Sequence, residues 1–574
     1  MNSKQRTRAR FVFILIILGA GVLASGLYWT QIAKGPSYAA RAEKQYVKPV
    51  GMLFDRGSIY FQSKDGTRSA AATLGTGFVV YMNPTQVSNA TQEYDALSQY
   101  LTLDRSDFLA KAKKPRDQYE VLAAHLDATS TQSIKGLSLP GIGISPETWR
   151  SYPGNSMAAH VLGIIGENAS STSVSGKYGL ERTYENVLGR TGASSRVNAF
   201  AQLLYGFRTS VFGDADGKGG DLVTTIEPTT QKYLEKILAQ TLAIWHSDEI
   251  GGIVIDPHTG EIVAMSSLPV FDPNSISTLK NVSVLSNPLI EHVYEMGSIM
   301  KPLTMATALD TKAVTTSSTY TDTGTMTLSG KKISNYDGKA RGITSMQEIL
   351  SQSLNVGVAT IALKVGKDAF AKYFMSFGLG EKTNIDLPNE AAGIVGNLKT
   401  GRDVEIATAA YGQGIAISPV NMARALSVLA NGGYVVTPHV VRKIDYTDGT
   451  SKSIEVAKKG PVLASETVDE VTRMLVKVVD DKIAQAHPDI HFEHYSIAAK
   501  TGTAQIADHA SGGYYPDRYL HSFFGYFPAY DPKFLVFLYQ VYPKGAQYAS
   551  ETLTDPFSEI TKFLLNYYNV APDR

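Results

Sequence analysis

The stretch Tyr294–Glu295–Met296–Gly297–Ser298–Ile299–Met300–Lys301–Pro302 opens an apolar run through Leu303, Met305, Ala306 and Leu309. Its reading decides the fold. Ser298 and Lys301 stand three residues apart, which on a helix puts them on one face about 5–6 Å apart, within reach of each other. A serine hydroxyl is a weak nucleophile at neutral pH and needs a neighbouring base. A lysine serves once burial or a second cation lowers its pKa from about 10.4. Only Ser298 sits at the mouth of a periodic apolar segment, where a helix N-terminus favours a developing oxyanion. The same spacing recurs at Ser277–Lys280, in a turn-rich run, and at Ser329–Lys332, beside the hairpin glycine Gly330. Both read as surface pairs.

Two further motifs complete the set. Ser353–Leu354–Asn355 lies inside Met346–Gly357, and Lys500–Thr501–Gly502–Thr503 closes the strand-like run Tyr495–Ala499. Behind it come two more strand-like runs, His521–Phe527 and Phe534–Tyr539, separated by the turn Pro528–Pro532. A Lys-Thr-Gly on a strand edge can dock an extended peptide by main-chain pairing. The decoy Lys399–Thr400–Gly401 leads instead into a helical pattern, Glu405–Ala409.

In order, context and completeness these motifs resemble those of class B penicillin-binding proteins, which are peptidoglycan D,D-transpeptidases. The likeness extends to Asp256–Met265, Phe271–Asn274, Tyr411–Ile415 and Ala423–Leu426. In the N-terminal half it rests on Arg56–Tyr60, Arg150–Pro153 with Ala158–His160, and Gly176–Glu181, which are similar to the family's pedestal motifs. Met296 stands where the family usually has proline, and Phe61–Gly66 replaces a shorter loop. The resemblance implies that Ser298 is the nucleophile and Lys301 its base. It implies that Ser353 relays a proton, that Asn355 orients the substrate amide, and that Lys500, Thr501, Gly502 and Thr503 bind the terminal carboxylate and oxyanion. No cofactor and no metal is implied. The substrate would be the stem peptide of lipid II-derived glycan strands, with β-lactams as inhibitors.

Around the motifs, 574 residues allow two to four domains, and a net charge of +1 gives no electrostatic argument for nucleic acid. The chain has no cysteine, which excludes disulfides and thiolate metal sites. Residues 1–10 are polar and basic, a cytoplasmic tail. Residues 11–30 are expected to form a transmembrane anchor: Phe11 to Trp29 carries no charge, and at about 1.5 Å per residue it spans a hydrocarbon core of about 30 Å. The basic cluster before it and Tyr28–Trp29 after it argue for a cytoplasmic N-terminus. The catalytic part would then lie outside the plasma membrane. Residues 40–219 mix strand-like and helical patches without a nucleophile–base pair and read as an elongated pedestal, ending near the Gly-rich Gly213–Gly220. Residues 221–574 read as an α+β transpeptidase domain, a central antiparallel sheet flanked by helices. A helix is expected over Thr229–Leu242, and helices should dominate from Lys301 to about Leu379.

His487, His491 and His494, with Asp489 and Glu493, read as solvated loop groups because Pro488 interrupts any helix carrying them. His521 has no acid to complete a triad and reads as a packed or exposed histidine. Asp322–Asn355, with Thr323–Met326, Ile333–Asn335 and Gly342–Met346, resembles the septal, cell-division subfamily. That likeness implies a polytopic SEDS-type glycosyltransferase and other division proteins as partners. An elongation-type transpeptidase, a β-lactamase or carboxypeptidase, and a non-catalytic envelope scaffold are the alternatives.

Overall fold

The computed structural model describes residues 55–114, 117–168, 171–189, 219–483, 487, 492–508, 510 and 512–574. The expected anchor and most of the Gly-rich run lie outside these residues. Among the described residues no helix is long and apolar enough to cross a membrane.

Two compact units are present. The smaller spans Leu74–Trp149 among the described residues. In it Phe78–Met82 pairs antiparallel with Glu120–Leu126, and Val80, Met82, Leu97, Phe108 and Ile134 form its core. Its helices start at side-chain caps: Asn89, Asp104 and Asp127 each accept a backbone N–H of the first turn.

The larger unit holds Asp55–Thr73 and Arg150–Arg574. The segment Ile59–Gln62 pairs in parallel with Gly220–Thr224, which pairs antiparallel with Val441–Tyr446. Parts of the expected pedestal thus share a sheet with the expected catalytic domain. The three N-terminal motifs also converge here. Glu181, fully buried, accepts from Arg56 Nε and Arg150 Nε at 2.6 Å each. The charges are desolvated together and paired with one another, the condition under which buried ions are tolerated, although Arg150 Nη2 is buried without a partner.

The catalytic elements follow in order: α1 (Pro228–Trp245), β1 (Glu249–Ile255), β2 (Ile262–Leu268), α2 (Lys301–Asp310), α3 (Asn355–Val365), β3 (Ala498–Asp508), β4 (Gly513–Phe527), β5 (Phe534–Val541) and α4 (Thr554–Tyr567). The strands form one antiparallel sheet in the order β3-β4-β5-β1-β2. Helix α1 starts at Pro228 with the Glu227 side chain accepting from Thr230 N, so an orphan donor is satisfied where proline needs none.

Both faces of the sheet are covered, and β5 shows how. Leu535, Phe537 and Tyr539 point into one core cluster, Val536 and Leu538 into the other, the period of two that a strand imposes. One cluster takes α1 and α4; the other takes α2, whose residues Lys301–Ala308 are all buried. The expected helical stretch from Lys301 to Leu379 is broken by two small antiparallel ribbons, Thr319–Asp322 with Gly342–Ser345 and Thr325–Leu328 with Lys331–Ser334. Their threonine- and serine-rich residues favour strands or turns over a helix interior.

Candidate active site

Ser298 lies in a 3₁₀ turn, Gly297–Met300, that runs directly into α2 at Lys301. In a 3₁₀ turn residues i and i+3 eclipse, so Ser298 and Lys301 share a side more closely than on an α-helix. The turn needs its glycine. Gly297 has φ +66°, and a Cβ there would lie 2.7 Å from the Thr503 carbonyl oxygen.

That close approach brings edge strand β3 to Ser298. Gly502 repeats it: a Cβ there would lie 2.4 Å from Ser522 Oγ and 2.8 Å from the Met296 carbonyl oxygen. Ser522, buried in β4, donates its hydroxyl to the Met296 carbonyl at 2.8 Å. A third glycine, Gly412 at φ +80°, backs the turn from the other side and accepts a hydrogen bond from Gly297 N at 3.2 Å.

Lys301 is fully buried beneath the cleft. Its Nζ donates to the Ser353 carbonyl at 2.5 Å and to Asn355 Oδ1 at 2.7 Å, and lies 3.0 Å from Ser353 Oγ. Three oxygens favour an ammonium; burial and, second, the Lys500 cation oppose it and hold the pKa well below a lysine's usual value. A neutral amine satisfies the same contacts by donating to the two carbonyl-type oxygens and accepting from the Ser353 hydroxyl. No hydrogen bond joins Lys301 to Ser298 in this structure; the amine faces Ser353 and Asn355. Ser353 adopts φ +54°, a left-handed conformation that turns both its carbonyl and its hydroxyl onto Lys301. Asn355 caps the arrangement by donating from Nδ2 to the Ser334 carbonyl at 2.9 Å.

Lys500 is buried too, and burial lowers its pKa to about 8. Its Nζ donates to the Thr501 carbonyl at 3.0 Å. Thr503 Oγ1 accepts from Ala549 N at 3.0 Å, which leaves its O–H free to donate.

Ser298, Ser353, Asn355, Lys500, Thr501 and Thr503 line one cleft of about 940 Å³. Gly502 lies in its β3 wall between Thr501 and Thr503. Among the described residues no Asp or Glu lines the cleft, whereas Lys332 and Lys500 do. Such a lining suits an anionic ligand.

The decoys stay apart, with one exception. Ser277 and Lys280 lie in or beside an isolated 3₁₀ stretch, and Lys399–Gly401 ends a short helix. Ser329 (φ +46°) and Gly330 form the expected hairpin turn, yet Lys332 after it reaches the cleft. Sequence reading also passed over Tyr336, Gln547 and Tyr548, which line the cleft without a motif, as does Tyr519, an aromatic expected only to pack in the core or a loop. His521 is fully buried: Nδ1 meets Thr552 Oγ1 at 2.8 Å and Nε2 meets the Gln547 carbonyl at 3.1 Å. Burial lowers its pKa to about 4, so it is neutral at pH 7 and outside the chemistry. Of the histidine group, Asp489 and His491 lie outside the described residues. Among the described residues no three acids or histidines cluster as a metal site.

Family models match two parts of the chain: a penicillin-binding protein transpeptidase domain over residues 250–562 and a penicillin-binding protein dimerisation domain over residues 55–202. The chain is 24% identical over 570 residues to the peptidoglycan D,D-transpeptidase FtsI of Escherichia coli, covering 97% of this chain and 91% of that one. It is 28% identical over 551 residues to the peptidoglycan D,D-transpeptidase MrdA of the same species, covering 87% and 84%. The fold matches the crystal structure of penicillin-binding protein 2X from Streptococcus thermophilus at a TM-score of 0.71 and 20% identity, over 90% of this chain and 79% of that one.

Proposed function

The chain belongs to the class B penicillin-binding proteins, and from that premise we propose that it is a peptidoglycan D,D-transpeptidase working through an acyl-enzyme on Ser298. The observation that carries this reading is the buried Lys301, bound to Ser353 and Asn355 beneath a cleft that also holds Ser298 and Lys500. Ser298 attacks the carbonyl of the penultimate D-Ala while Lys301, kept neutral by burial, receives the hydroxyl proton. The backbone N–H groups of Ser298 and Thr503 receive the oxyanion, where losing one donor typically costs about 10²–10³ in rate. Ser353 returns the proton to the departing D-Ala amine. Lys500 and the Thr501 and Thr503 hydroxyls hold the terminal carboxylate, and Asn355 orients the amide. The amine of a second stem peptide then takes the acyl group and frees Ser298. β-Lactams acylate the same hydroxyl.

Labelling the full-length chain with a fluorescent penicillin tests this. Wild type should label, and Ser298→Ala should lower labelling by at least about 10³; an unlabelled wild type sinks the reading. An acceptor-amine assay separates cross-linking from hydrolysis.

The uncharged Phe11–Trp29 stretch supports a single-pass anchor with the catalytic unit outside the plasma membrane. The septal likeness of Asp322–Asn355 supports a role in division beside a SEDS-type glycosyltransferase. The comparable identity to FtsI and MrdA keeps side-wall elongation as the second reading. A fluorescent fusion at midcell supports the first, and one along the side wall the second.

A further inference from the structure

Glu295 stands three residues before Ser298, and nothing in the reaction above uses it. Its Oε1 accepts two hydrogen bonds from parts of the chain remote in sequence: Gly414 N at 2.9 Å and Tyr514 Oη at 3.1 Å. Gly414 ends the turn whose Gly412 carbonyl holds Gly297 N. Tyr514 lies at the outer end of β4, opposite Ala507 of β3. One carboxylate oxygen therefore joins the Gly412–Gly414 turn to the outer end of β4. The other oxygen, Oε2, is buried and has no hydrogen-bond partner.

We propose that Glu295 is a positioning residue: its carboxylate ties the nucleophile's turn to the Gly412–Gly414 turn and to the outer end of the β3–β4 hairpin. It thereby fixes the gap between Ser298 and the Lys500–Thr503 edge in which the substrate lies. The inference rests on the transpeptidase reading and adds a residue to it.

The titratable groups facing Glu295 are Tyr411 and Tyr514, and no lysine, arginine or histidine among the described residues pairs with it. Burial raises its pKa above the usual carboxylate value, against the pull of the two donors. The ionised carboxylate accepts from both. By linkage, a pKa raised by burial means that the proton is bound more tightly in this buried setting than in water, so protonation does not open the clasp; the hydrogen bonds from Gly414 and Tyr514 position the turn.

The test is acylation of the full-length chain in detergent by a fluorescent penicillin, resolved into a binding constant and an acylation rate. Glu295→Ala and Tyr514→Phe should each slow the acylation step, Glu295→Ala by about tenfold to a hundredfold, the range expected when reacting groups are misplaced by an ångström or less. The double variant should be no slower than Glu295→Ala, because Tyr514→Phe removes only a contact that Glu295→Ala has already removed. Glu295→Gln keeps the acceptor oxygen and cannot titrate. It should recover most of the rate that Glu295→Ala loses. The assignment is overturned if Glu295→Ala acylates at the wild-type rate, if the two losses simply add, or if Glu295→Gln is as slow as Glu295→Ala. Should the alanine variant fail to fold, Tyr514→Phe and Glu295→Gln decide alone. A wild type that is never acylated defeats the underlying reading, and the assignment with it.

Discussion

Lys301 and Lys500 are both shut away from water, but for different work. In the proposed reaction Lys301, surrounded by Ser353 and Asn355 oxygens, needs its lone pair, and Lys500, on an edge strand, needs its charge. Lowering the Lys500 pKa to about 8 leaves it protonated below that pH and neutral above it. The second-order acylation constant, which reports groups of the free enzyme, should therefore show an alkaline limb centred near pH 8 as carboxylate capture fades. In Lys500→Arg, whose side chain stays charged, that limb should vanish whatever happens to the absolute rate. The identity of these residues was legible in the sequence because chemistry restricts which side chains can do the job. The grip of Lys301 on the main chain of Ser353 was not, because it depends on a left-handed φ that serine rarely adopts.

At the scale of elements, the nucleophile's turn, edge strand β3 and the Gly412–Gly414 turn interlock where side chains are missing. A Cβ on Gly412 would lie 2.3 Å from the Gly297 carbonyl oxygen, at a φ that alanine also resists. Gly412→Ala should cost about 1–3 kcal/mol of stability, read from thermal or urea unfolding, and should slow penicillin acylation of the folded protein. Strand and helix types in the sheet were legible from period-two and period-3.6 patterns. The start of β3 was not: Tyr495–Ala499 looks like the strand and Lys500 like its end, whereas β3 runs Ala498–Asp508 with Lys500 inside it. The reason lies at the other end of the chain. Ser496 N donates to Asp573 at 2.7 Å, so the C-terminal tail takes the backbone group that a longer ladder would have used.

For the molecule as a whole, the Arg56–Glu181–Arg150 cluster joins three stretches that sequence reading recognised separately and could not join. Periodicity reports faces of single elements and says nothing of which distant charges meet. Removing one partner of such a cluster leaves bare buried charge, typically 3–5 kcal/mol. Glu181→Ala should lose about that much in denaturant unfolding, while the fraction still folded labels with penicillin at the wild-type rate. The pairing of Ile59–Gln62 with Gly220–Thr224 was equally hidden, and it is why the compact units do not divide at the Gly-rich run.

The order β3-β4-β5-β1-β2 carries a temporal consequence. Strand β1 precedes its partner β5 in the chain, so the side of β1 that pairs with β5 stays vacant until β5 has been made. Ser298 is thus synthesised long before the edge that completes its surroundings, and an unfinished nascent chain carries a nucleophile with nothing yet built opposite it.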